Sequence, residues 1–186
     1  MKTESKIDEP NNMGPDSWKT VISDQSNFLA EQENQQRDQA ADILERLGWL
    51  AREQGDSANA RLWLSESLNL YQALGDALSA AGVLNTLAGV AILEEDPARA
   101  EALLAESQML AQGAPSDSFR IAWRLNHLGQ AAQLRGAYDR AAQLHLESLG
   151  SFKAGIDHAE ALPHAYHDLG QAMLGLGRLD DAASWF

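Results

Sequence analysis

The chain has 186 residues, 45% hydrophobic and 22% charged, a length for one domain or a short repeat array and a balance that speaks against wholesale disorder. Its 27 acidic and 14 basic residues leave a formal charge of −13, which repels phosphate backbones and anionic lipid, so nucleic acid and membrane are not expected partners of this chain alone. Cysteine is absent, which excludes disulfides, thiolate nucleophiles, thiolate zinc sites and iron–sulfur clusters.

Residues 1–15 are polar and carry Pro10, Asn11, Asn12, Gly14 and Pro15, so a disordered lead-in is expected. No apolar core follows Met1-Lys2-Thr3-Glu4-Ser5-Lys6, which argues against a secretory signal. No stretch approaches the roughly 18 uninterrupted apolar residues of a membrane span. A cytoplasmic location is the expectation. From Asp16 a helix is predicted, with Trp18, Val21, Ile22, Gln25, Phe28 and Leu29 on one face. That apolar face needs a cover, so residues 16–30 are expected to pack as a cap on the segment that follows rather than act as a detachable partner-binding helix. The polar run 31–39 reads as a connector or an exposed helix end, and the whole of 16–37 as capping helix plus connector.

Residues 38–186 repeat. Leu47-Gly48 recurs as Leu87-Ala88, Leu128-Gly129 and Leu169-Gly170, at steps of 40, 41 and 41 residues. Three residues before each leucine stands a large residue: Leu44, Leu84, Leu125 and Tyr166. Twelve residues after each small residue stands an alanine: Ala60, Ala100, Ala141 and Ala182. Seven further on comes a serine: Ser67, Ser107 and Ser148. The units run over about 41–76, 77–117, 118–157 and 158–186, the last incomplete. Each reads as two helices. In the third, an apolar stripe through Ile121, Leu125, Leu128 and Ala132 stops at Gly136, and a second runs through Tyr138, Ala141, Leu144, Leu149 and Phe152. Gly55-Asp56, Asp96-Pro97 and Gly177 separate helices within units. Gly75-Asp76, Ser116-Asp117 and Gly155 to Asp157 separate the units. The small residues let two antiparallel helices approach closely, with Leu64, Leu104 and Phe186 filling the flanking space.

This pattern resembles the tetratricopeptide repeat (TPR) family across residues 41–186. The resemblance implies an all-α, right-handed superhelical array of antiparallel helix pairs, a TPR-like α-solenoid. The usual TPR unit has about 34 residues; the longer units here are expected to extend the second helix by about two turns. The strings Leu125-Asn126-His127-Leu128-Gly129, Ala141-Ala142-Gln143-Leu144, and Glu66-Ser67-Leu68 leading to Leu74-Gly75-Asp76 are similar to the long TPR arms of bacterial signal-transduction NTPase regulators. No phosphate-binding loop is present, so only the arm is implied. The chain stops at Phe186, within a second helix; a fragment of a longer protein is expected, the alternative being a short array that caps itself by dimerising through Leu179, Ala183 and Phe186.

In such a solenoid the first helices line the concave face. Counting from seven residues before each Gly/Ala, unit one offers Asp42, Glu45, Arg46, Trp49 and Arg52; unit two offers Gly82, Asn85, Thr86, Gly89 and Ile92. Unit three offers Trp123, Asn126, His127, Gln130 and Gln133, and unit four His164, His167, Asp168, Gln171 and Leu174. The expected binding residues are Arg46, Trp49, Asn85, Trp123, Asn126, His127, Gln130, His164, His167 and Gln171. Amides pair with a peptide backbone and tryptophans supply stacking area, which suits a polypeptide or a modest polar ligand. The competing reading packs Trp49 and Trp123 between units and uses Asn85 and Asn126 to tie helices together. Where some TPR proteins clamp acidic peptide tails with Lys and Asn, this chain has Trp123 and His127, and Lys153 is the one lysine after residue 19.

His158, His164 and His167 cluster with Asp157, Glu160 and Asp168, but match no zinc motif; hydrogen bonding is expected there, with no metal and no cofactor. Nucleophile motifs are absent, and Glu94-Glu95 and Asp180-Asp181 read as turn carboxylates that cap helices, so no enzyme is expected. The expected function is a protein- or peptide-binding scaffold, the sensor or interaction arm of a larger bacterial regulator. The alternative is a small-ligand or metal-responsive sensor using the His164/His167 end.

Overall fold

The computed structural model describes residues 17–113, 117–154 and 162–185. The expected lead-in, Ser116, Gly155, Asp157, His158, Glu160 and Phe186 lie outside the described residues, as do the side chains of Trp18, Val21 and Ile22. Among the described residues there are eight helices and no strand: α1 (Ser17–Glu53), α2 (Ser57–Leu74), α3 (Ala77–Leu93), α4 (Pro97–Leu110), α5 (Ser118–Leu134), α6 (Tyr138–Ala154), α7 (Leu162–Gly175) and α8 (Leu179–Ala183). No helix among them is long and apolar enough to cross a membrane. The chain divides into two units between Arg37 and Asp38.

In the first unit, α1 is helical and solvent-exposed from residue 23 to 37, with Phe28 and Leu29 57% and 60% exposed. An ion pair one turn apart joins Arg37 to Glu33. The helix continues through residues 31–39, so the polar run is no break between elements.

The second unit is a row of helix pairs, started by aspartates. Asp56 accepts from the Asn59 N–H, Asp76 from Leu78 and Ser79, Asp96 from Arg99, and Asp117 from Phe119 and Arg120. Each satisfies donors that the first turn of a helix leaves open. Within units the preceding turn needs a left-handed residue, supplied by Gly55 (φ 76°), Gly136 (φ 73°) and Gly177 (φ 72°). Unit two puts Glu95 there at φ 56°. The expectation that Glu94-Glu95 N-caps a helix is therefore corrected: Asp96 is the N-cap of α4, and Glu94, at the C-cap of α3, pairs through its carboxylate with Arg61 at 2.6 Å and Arg99 at 3.2 Å.

The periodic serines show how each pair is tied. Ser67 Oγ donates to the Ala41 carbonyl at 2.9 Å, Ser107 to Ala81 at 2.8 Å and Ser148 to Ala122 at 2.7 Å. All three serines are buried. Nearer the turn, a Cβ on Gly48 would overlap the Leu64 side chain. Pairing 41 with 67 and 48 with 64 makes the helices antiparallel. At the equivalent contact in unit three, Gly129 lies against the His145 ring. Neighbouring units share apolar cores: Ala88, Ala91, Ala100 and Leu104 with Ala131, then Ala132, Ala141 and Leu144 with Leu169, Ala172 and Met173. Second helices do not take all the extra length expected of them. First helices α3 and α5 have 17 residues each, against 18 and 14 for second helices α2 and α4.

Candidate functional site

Within the second unit, α1, α3, α5 and α7 line one groove of about 700 Å³. Asp42, Glu45, Arg46, Trp49, Arg52 and Glu53 come from α1, Gly82, Asn85 and Thr86 from α3, Trp123 and His127 from α5, and His164 from α7. Residues at a spacing of three or four share one face of a helix, which is why each helix contributes a short ladder. Leu78, Ser79, Phe119 and Arg120, with Asp117 beside them, extend the lining further. Sequence reasoning missed these. They lie one helical turn before Gly82 and Trp123, so continuing the same period backwards would have reached them.

Of the ten expected binding residues, the groove brings together Arg46, Trp49, Asn85, Trp123, His127 and His164. Trp49 is 46% exposed and offers a free aromatic face. Trp123 is half-buried: its ring meets Phe119, Phe152 and His127 with centroids 6.2, 5.6 and 5.7 Å away, and His164 at 6.1 Å. Packing within its own unit, and against His164 of the next, thus claims part of Trp123 and leaves part of it lining the groove. Asn85 is 5% exposed; its Nδ2 lies 3.5 Å from the Arg120 carbonyl and its Oδ1 has no donor.

Asn126 and Gln130 are engaged with the neighbouring helix. Neither lines the groove, because both are spent at the contact between α5 and α7. Asn126 is 1% exposed, and its Nδ2 donates to Asp168 Oδ2 at 2.8 Å. Gln130 donates to the same oxygen at 2.8 Å, and Gln133 to the Asp168 backbone carbonyl at 3.1 Å. The remaining Asn126 Oδ1 faces His145 Nδ1 at 2.9 Å, which places a hydrogen on that nitrogen. His145 is fully buried where units one and two carry Leu64 and Leu104. That break in the repeat was the signal for a buried polar network. Burial pushes the His145 pKa down, and Asp168 pulls it up. His167 and Gln171 are exposed and do not line the groove. Among the described residues, no three His, Asp or Glu side chains gather to hold a metal ion.

Charge within the groove is largely paired. Arg46 meets Asp42 at 3.3 Å, Arg52 meets Glu53 at 2.6 Å and Arg120 meets Asp117 at 3.2 Å. Asp42 also accepts from the Tyr71 hydroxyl at 3.0 Å. Arg52 Nη1 approaches His127 Nε2 at 3.5 Å, over Gly89, where a Cβ would meet both side chains. A guanidinium only donates, so His127 Nε2 is the acceptor and the ring is neutral. Burial first, then the Arg52 charge, pushes the His127 pKa down to about 3. Glu45 moves the other way: burial and the neighbouring Asp42 raise its pKa, against Tyr71, Arg120 and Arg46.

No protein-family model matches the sequence, and no curated protein does. Among solved structures, BtubC (BKLC) from P. vanneervenii superposes with a TM-score of 0.62 at 20% identity, covering 80% of this chain. The fold is a TPR-like α-solenoid. This chain spans 61% of the length of BtubC, and likeness at that identity carries the fold alone. The MamA protein also matches, with a TM-score of 0.42 at 18% identity, over 79% of this chain and 88% of its own.

Proposed function

We propose that the chain is a protein- or peptide-binding scaffold whose ligand lies in the groove along α1, α3, α5 and α7. The observation that carries this reading is Trp49, a large aromatic left 46% exposed inside a groove that Trp123, Phe119 and several charged side chains also line. Rigid aromatic area of this kind anchors bound polypeptides at small entropic cost. The binding residues of this proposal are Arg46, Trp49, Asn85, Trp123, His127 and His164. The arm of a larger bacterial regulator is the finer reading; it rests on the long-repeat resemblance. The proposal also includes self-association through α8, where Leu179 is 66% exposed.

A displayed library of random peptides, selected on the full chain, tests the groove. Selected peptides are expected to lose about tenfold or more in affinity on Trp49→Ala, on the order of 1.4 kcal/mol. Trp49→Ala removes an exposed ring, so circular dichroism should be unchanged. Peptides that bind wild type and Trp49→Ala equally would place recognition elsewhere.

A further inference from the structure

Four carboxylates and three guanidinium groups line the groove: Asp42, Glu45, Glu53 and Asp117 against Arg46, Arg52 and Arg120. Each guanidinium already has a carboxylate of its own. Among the described residues, Glu45 is the groove carboxylate left without an ion pair within 4.0 Å. It reaches towards α3: its Oε1 stands 3.7 Å from where a Cβ on Gly82 would be, and glycine leaves that floor open. One turn further along α3 is Asn85. Its Nδ2 is turned to the Arg120 carbonyl, which leaves Oδ1 as a buried acceptor without a donor. An unsatisfied buried acceptor costs free energy that a ligand donor recovers. Burial already raises the Glu45 pKa, so an arriving positive charge would favour its ionised form. Trp49 and Trp123 stand on the same groove, and an aromatic face attracts a cation, a planar guanidinium above all.

Resting on the scaffold reading above, we propose that the groove recognises a basic peptide segment, with Glu45 and Asn85 Oδ1 receiving an arginine side chain flanked by Trp49 and Trp123. The carboxylate and the amide oxygen are acceptors, and guanidinium presents several donors in a plane. Ligand charge also complements the chain as a whole, with its formal −13. That general field must be separated from the site.

Fluorescence anisotropy of the full chain with three labelled peptides of equal length does so. One is arginine-rich, one carries citrulline at the same places, and one carries glutamate. The arginine peptide is expected to bind about tenfold or more tightly than its citrulline analogue, which keeps shape and loses charge. Glu45→Gln should cost about tenfold, whereas Glu66→Gln, an equal charge change on the exposed face of α2, should cost little. Equal losses in the two variants would reduce the effect to net charge and overturn the proposal. Citrulline or glutamate peptides that bind as well, and weaken on Trp49→Ala, would overturn it while leaving the scaffold reading in place. If no peptide, including any selected from the random library, binds the folded chain, both readings fail.

Discussion

His127 is the side chain whose chemistry the tertiary structure changes most. As a sequence position it is a groove histidine free to titrate near neutrality. Folded, it is buried beside Arg52, with its pKa pushed from the ordinary value of 6.5 down to about 3. The unfolded chain binds a proton at this residue below about pH 6.5, and the folded chain does not until about pH 3. Stability from His127 is therefore complete above pH 6.5 and lost as pH falls, at up to about 1.4 kcal/mol per unit. Denaturant midpoints measured from about pH 7 to 5 are expected to fall, and His127→Gln should flatten that slope. A slope unchanged in the variant would mean that His127 titrates normally. The capping carboxylates act in a separate, lower window. Hydrogen bonds to the Asn59 and Ser79 groups hold Asp56 and Asp76 below the usual carboxylate range, so their contribution is lost only under about pH 4.

Elements are set by local chemistry repeated with small variations, and one variation is a flaw. The turn inside each unit needs a left-handed residue, and Glu95 occupies that conformation where Gly55, Gly136 and Gly177 serve elsewhere. A side chain there costs about 1–2 kcal/mol, offset in part by the lower backbone entropy that a non-glycine residue loses on folding. Glu95→Gly is expected to stabilise the chain by about 0.5–1 kcal/mol. The reading is chemical or thermal denaturation, and a destabilised variant would show that the Glu95 side chain makes a contact worth more than the strain. The serine ties work in the opposite sense. Each adds a side-chain bond between two helices already packed through alanine, worth about 1 kcal/mol when buried.

At the scale of the whole molecule, a repeat array is a sum of units and the interfaces between them. Apolar positions that one unit buries against the next are left open wherever no neighbour follows. Leu179 on α8 is a large apolar side chain 66% exposed. Light scattering of the chain over a concentration series is expected to show a mass that rises with concentration, and Leu179→Lys should hold it near the monomer's 20.2 kDa. A monomer mass at every concentration removes self-association through this end and leaves the groove proposal untouched.

The two-helix unit, the capping aspartates and the close contact at Gly48 were legible in the sequence. Each depends on a residue's own conformational preference or on helical spacing, and such local rules survive whatever the rest of the chain does. The serine positions were legible too, without their partners. Only the tertiary structure decided which polar residues face the groove and which face a neighbouring helix. Asn85 and Asn126 occupy the same repeat position. Asn85 keeps a buried Oδ1 without a donor beside the groove, whereas Asn126 is drawn to His145 and Asp168, residues 19 and 42 positions away. Their fates differ because hydrogen bonding of a buried amide depends on what the adjoining helices bring opposite it, which periodicity within one helix does not encode.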